Sequence, residues 1–91
     1  MTVTVRVPAA LRALAGGRSE LAAPAGRLRD VLDAVGRESP ALLERVVDAG
    51  ALRRHVNVFV NDEDVRFREL LDTPVRDGDR VTIVPAIGGG W

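Results

Sequence analysis

The sequence predicts an α+β fold, a small sheet with one helix laid across one of its faces. Three observations carry this expectation. Near both ends of the chain, in residues 2–7 and 80–84, apolar and polar residues alternate with the period of a half-buried strand. Between them Leu28, Val31, Leu32 and Val35 fall at i, i+3, i+4 and i+7, the apolar stripe of a surface helix. A length of 91 residues gives room for one core and no second domain.

Each element follows from local signals. In the first strand Val3, Val5 and Val7 alternate with Thr2, Thr4 and Arg6, and Pro8 closes it. Residues 9–18 hold a short helical turn ended by Gly16 and Gly17, and "SELAA" is a second, paired strand stopped at Pro24. The main helix starts at Arg27, with Arg29, Asp30, Asp33 and Arg37 off its apolar stripe. Ser39 then reads as an N-cap with Pro40 at the first helical position. A short second helix follows, with Leu42, Leu43, Val46 and Val47 on its apolar side up to Gly50. "HVNVFVNDEDVRF" puts Val56, Val58 and Val60 on one face, Asn57 and Phe59 on the other, and turns through residues 61–64 into a return segment. Asp77, Gly78 and Asp79 turn the chain into a last strand, with Val81 and Ile83 inward and Pro85 as its terminator. Aromatics are only 3% of the chain, so Val, Leu, Ile and Ala must build the core, with Phe59 and Phe67 expected as its large fillers.

A right-handed crossover would set the first and last strands side by side and parallel. That is the β-grasp arrangement of ubiquitin-like proteins: a mixed sheet of four to five strands, one main helix on one face and a short second helix. Residues 1–86 are expected to form the domain and residues 87–91 a flexible glycine-rich tail.

Composition removes several function classes. The 13 basic and 13 acidic residues balance and are interspersed, which disfavours nucleic acid as a partner. All 13 basic residues are Arg, so no ε-amine is present to form a Schiff base or to accept a linked copy of the chain. Without Cys, disulfides, thiolate metal clusters and a thiol nucleophile are excluded. The alternating "MTVTVRVP" resembles neither a signal peptide nor a membrane span, and a cytoplasmic protein, monomeric when free, is expected. Asp62, Glu63 and Asp64 lack the continuation of a calcium loop and read as an acidic turn. His55, the single His, has no partner for a zinc site or triad. No catalytic group, metal site or bound cofactor is expected. Arg53 and Arg54 are candidate contacts to an acidic partner surface.

What the fold does not require is the ending "PAIGGGW". Three glycines bury nothing and raise the entropic cost of order. From Pro85 to Gly90 the extended reach is about 20 Å, enough to thread a channel too narrow for side chains.

"VNVFVNDEDVRF" and "RDGDRVTIVPAIGGG" resemble the ubiquitin-like sulfur carriers, the MoaD/ThiS family, and are most similar to its actinobacterial cysteine-biosynthesis branch. The resemblance spans essentially the whole chain. It implies that the terminal pair of glycines corresponds to Gly89 and Gly90. In that family an E1-like adenylyltransferase/sulfurtransferase uses ATP to adenylate the last glycine's carboxylate. Sulfide from a persulfide source then displaces AMP and leaves a thiocarboxylate, so the carrier is a co-substrate and not an enzyme. Gly88, Gly89 and Gly90 would thread the partner's active site, while Phe59, Arg53, Arg54, Pro85 and Ile87 are candidates for docking outside it. Trp91 departs from the pattern, since it locks Gly90 in an amide; removal of Trp91 by a JAMM-type metalloprotease is the expectation. The acceptor would be a synthase, of cysteine or of another sulfur-containing metabolite. Two other functions fit the same sequence: the small subunit of molybdopterin synthase, and a non-catalytic ubiquitin-like interaction domain.

Overall fold

In the computed structural model residues 1–85 are described, and the apolar alternation of the strands sets the sheet. Strand β1 (Thr2–Arg6) pairs antiparallel with β2 (Glu20–Pro24), Thr4 facing Ala22 and Arg6 facing Glu20. Between them residues Ala9–Ala15 form a 3₁₀ helix of about two turns, longer than the single turn expected, and Gly16 ends it at a φ of 67° that glycine adopts without strain. Two residues, β3 (Gly26–Arg27), then lead into helix α1 (Leu28–Glu38). Asp30 starts this helix well because its Oδ2 accepts the Arg27 backbone N–H at 3.0 Å. Leu28, Val31, Leu32 and Val35, the stripe read from the sequence, are all buried.

Helix α2 (Pro40–Val46) follows after Ser39 alone. Ser39 is the N-cap residue, but its side chain makes no capping bond; its carbonyl accepts from the N–H groups of Leu42 and Leu43 instead. The helix stops at Val46, short of Gly50. Val47 is already extended, and β4 (Val47–Asp48) pairs with β5 (Ala51–Leu52) across Ala49 and Gly50, both at positive φ. That is the two-residue hairpin turn whose twist suits antiparallel strands, so Gly50 marks a turn and not a helix end.

Strand β6 (Val56–Val60) turns at Asn61 and Asp62 into the brief β7 (Glu63–Asp64). Two 3₁₀ turns, Val65–Phe67 and Leu70–Asp72, carry the chain to β8 (Pro74–Val75), which pairs with β3, and then to β9 (Arg80–Pro85). The main sheet runs β2-β1-β9-β6-β7. The first and last strands are adjacent and parallel, Val5 opposite Val81, as the crossover argument required. Inward valines and isoleucine from β1, β6 and β9 meet α1 and α2 in one core.

The two phenylalanines are not core fillers. Alternation that sends Val58 and Val60 inward sends Phe59 to the opposite face, where it is half-buried. Val65 takes the inward position of its 3₁₀ turn, leaving Phe67 88% exposed. Among the described residues aliphatic side chains close the core without an aromatic. No helix among the described residues is long and apolar enough to cross a membrane.

Candidate functional site

The last strand is the structural root of the site. β9 is central, held by β1 on one side and β6 on the other, and its final register pair is Val56 with Pro85. Pro85 is therefore itself paired, as the last described residue of the strand. Its missing N–H goes unneeded: the N–H of Val56 donates to the Arg53 carbonyl at 3.2 Å and the Val56 carbonyl accepts from Arg66, so both polar groups of Val56 face away from β9. Ile87, Gly88, Gly89, Gly90 and Trp91, together with the boundary expected at 86/87, lie outside the described residues. What the structure does define is the platform from which they continue.

That platform has an open sheet face. Thr82 stands between Arg6 on β1 and Phe59 on β6, and Val84 stands beside Asn57. Val84 is 39% exposed, a large fraction for a strand valine. Beside the end of β9 runs a shallow groove of about 330 Å³. Its floor is Val7, Pro8, Ile83 and Pro85, and two arginines, Arg6 and Arg12, line it. Arg12 is fixed there by donating from Nε to the Val7 carbonyl at 3.1 Å.

Charge is arranged along the strands although it balances over the chain. At the Pro85 end, Arg6 and Arg12 lie on the β1 side; Arg53 and Arg54 precede β6. At the opposite end Asp62, Glu63, Asp77 and Asp79 gather with Arg68, Arg76 and Arg80. Several of these acids are engaged locally: Glu63 pairs with Arg68 at 2.6 Å, Asp77 accepts the Thr2 N–H and Asp79 the Arg76 N–H. Asp64 accepts the backbone N–H of Arg66 at 2.9 Å, so the acidic turn has a structural use. His55 is exposed at the start of β6. Arg53 is less free than the sequence suggests, since its Nε donates to the Glu44 carbonyl at 2.6 Å, while Arg54 is exposed. Among the described residues no cluster of His, Cys, Asp or Glu could hold a metal ion.

Of the docking candidates named from the sequence, Arg53, Arg54 and Pro85 lie at one end of the β6–β9 pair, and Phe59 stands further along β6 on the outward face, opposite Thr82. Sequence reasoning missed Arg6, Arg12, Thr82 and Val84. Their outward positions in the alternating pattern were the available signal.

A β-grasp domain whose central last strand leads straight into glycines defines a class of ubiquitin-like carriers, and comparison with known proteins places the chain within it. The sequence model of the ThiS family matches residues 5–90. The chain is 43% identical to the sulfur carrier protein CysO of Mycobacterium tuberculosis over 93 aligned residues, covering 99% of this chain and all of that one. In the crystal structure of the Amycolatopsis orientalis BexX/CysO complex, a chain 40% identical superposes with a TM-score of 0.90, over 93% of this chain and 96% of its own length. The small archaeal modifier protein 1 of Methanosarcina acetivorans, 30% identical, reaches 0.86 over 98% of this chain and 96% of its own. This chain belongs to the ThiS family of ubiquitin-like sulfur carriers.

Proposed function

We propose that this protein carries sulfur as a thiocarboxylate on Gly90 and donates it to a biosynthetic acceptor, cysteine synthesis being the favoured destination. The observation that carries the reading is where the family match stops: it takes in Gly88, Gly89 and Gly90 and leaves out Trp91. Gly90 is joined to Trp91 by an amide, so its acyl group becomes available only when that bond is hydrolysed; a JAMM-type metalloprotease is the proposed agent. The freed carboxylate attacks the α-phosphorus of ATP on an E1-like activating enzyme, an oxygen–phosphorus bond forming as pyrophosphate leaves. Hydrosulfide then attacks the carbonyl carbon, a carbon–sulfur bond forms, and AMP departs with the electron pair of the broken bond. The sulfur of the product is nucleophilic and attacks an electrophilic carbon of the acceptor, a carbon–sulfur bond forming as that carbon's leaving group departs with its electron pair; water then cleaves the acyl carbon–sulfur bond, returning the carboxylate and leaving the sulfur on the acceptor as a thiol.

The chain's chemistry suits this sequence of steps. Gly88 to Gly90 carry no Cβ and can enter a narrow channel while the domain docks outside. No Lys amine or Cys thiol is present to intercept the activated acyl group. Docking by the open face around Phe59, Thr82 and Val84, with the arginines at the Pro85 end against an acidic rim and Ile87 of the tail at the channel mouth, is the proposed mode. That a similar carrier crystallised with a second protein supports function through a partner. The test is mass spectrometry of protein isolated from its native host. Loss of Trp91, with a fraction further heavier by the replacement of one oxygen by sulfur, supports the reading; thiolated protein that retains Trp91 contradicts it.

A further inference from the structure

We propose that Arg66 is a positioning residue for the tail: it fixes the strand end from which Gly88, Gly89 and Gly90 are presented. The inference rests on the carrier reading above. β7 covers only the last two residues of β6, Asp64 opposite Phe59 and Glu63 opposite Val60. Among the described residues the outer edge of β6 at Val56 and Asn57 therefore has no strand beside it, and an open edge there would fray. The half-buried Arg66 takes the place of that strand. One guanidinium nitrogen donates to the Val56 carbonyl and to Asn57 Oδ1, both at 2.8 Å, and the other donates to the Arg53 carbonyl at 2.7 Å. The fork itself is aimed by its own backbone, whose N–H is accepted by Asp64.

On the other side of β6 sits the root of the tail. Val56 and Asn57 are the register partners of Pro85 and Val84. Because the polar groups of Val56 face the Arg53 and Arg66 side, alternation makes Asn57 and Val84 the last pair among the described residues able to exchange backbone hydrogen bonds. Arg66 thus holds the first residues of β6, and these hold the last residues of β9. No single ammonium can reproduce a planar fork that reaches three oxygens.

The test uses a carrier ending at Gly90, with the host's E1-like enzyme and ATP–pyrophosphate exchange as the readout, alongside amide hydrogen exchange on the carrier alone. For Arg66→Ala we expect kcat to fall about ten-fold with KM for the carrier nearly unchanged, since the docking face stays intact while the reacting end is misplaced. Exchange at Asn57 and Val84 should accelerate about ten-fold with Val5 and Val81 unaffected. Arg66→Lys should recover part of both. Val3→Ala, which opens the core on β1 opposite Ala23 of β2, at the other end of the sheet from Val56 and Pro85, controls for stability: it should lower the melting temperature without the kcat loss. Wild-type kcat in Arg66→Ala, or exchange raised evenly over all strands, overturns the proposal. If the parent protein itself cannot be loaded, the carrier reading fails, and the exchange pattern still decides whether Arg66 sets the strand end.

Discussion

Gly36 and Phe67 show how differently single positions in this chain are constrained. Gly36 lies on α1 where α2 crosses it, and a Cβ there would overlap Leu43 Cδ2 and come within 3.2 Å of Leu43 Cβ. Gly36→Ala gains about 1 kcal/mol of helix propensity but strains a packed contact by about 1–3 kcal/mol. The expected outcome is net destabilisation of about 1 kcal/mol, read by urea unfolding, and reduced by adding Leu43→Ala. Phe67 is the opposite case. With its ring almost wholly in solvent, Phe67→Ser should change stability by no more than about 0.5 kcal/mol in the same assay. The expectation that both phenylalanines fill the core came from composition, which counts large apolar residues but not the direction in which they point. For Phe59 the direction was legible, because Val58 and Val60 flank it in an alternating run; for Phe67, in a 3₁₀ turn, no period was available.

Elements with a clear period were legible, and those made by pairing two residues at a distance were not. β1, β2, β6 and β9, and α1, stand where alternation or the helical stripe put them, including the parallel pairing of β1 with β9. The two-residue ladders β3–β8 and β4–β5 have no period to read, and the second consumed the end of the helix expected to run to Gly50. The β6–β7 hairpin illustrates what a turn residue contributes. Asn61 sits at a φ of 56°, its Oδ1 accepts the Arg80 N–H at 3.0 Å, and its Nδ2 donates to Asp79 at 3.2 Å. Asn61→Ala should cost about 1–2 kcal/mol in unfolding free energy through the left-handed backbone and the lost bonds. Asn61→Gly, which relieves only the backbone, should cost less. Of the candidate site, the glycines and Arg54 were visible in the sequence; Arg66 was hidden because a guanidinium that substitutes for a strand leaves no pattern.

Over the whole molecule, zero net charge conceals a local excess: Arg6, Arg12, Arg53 and Arg54 lie toward the end of β9 with Glu20 opposite Arg6, while the far end of the sheet mixes Asp62, Glu63, Asp77 and Asp79 with Arg68, Arg76 and Arg80. Salt should therefore affect partner encounter far more than folding. The four ion pairs found among the described residues are exposed and contribute little to stability. Association with the activating enzyme, measured by stopped flow, should slow about ten-fold as ionic strength rises from low to well above physiological. Arg54→Glu should slow it at low salt and flatten that dependence. Both effects depend on a carrier whose domain docks while its terminus reacts. The most direct measurement of that idea is to compare the chain ending at Gly90 with the chain retaining Trp91, each given ATP, the host's E1-like enzyme and sulfide. The account predicts thiocarboxylate on the first and none on the second; loading of the Trp91-bearing chain, or refusal of the shortened one while the enzyme loads another carrier, would contradict it.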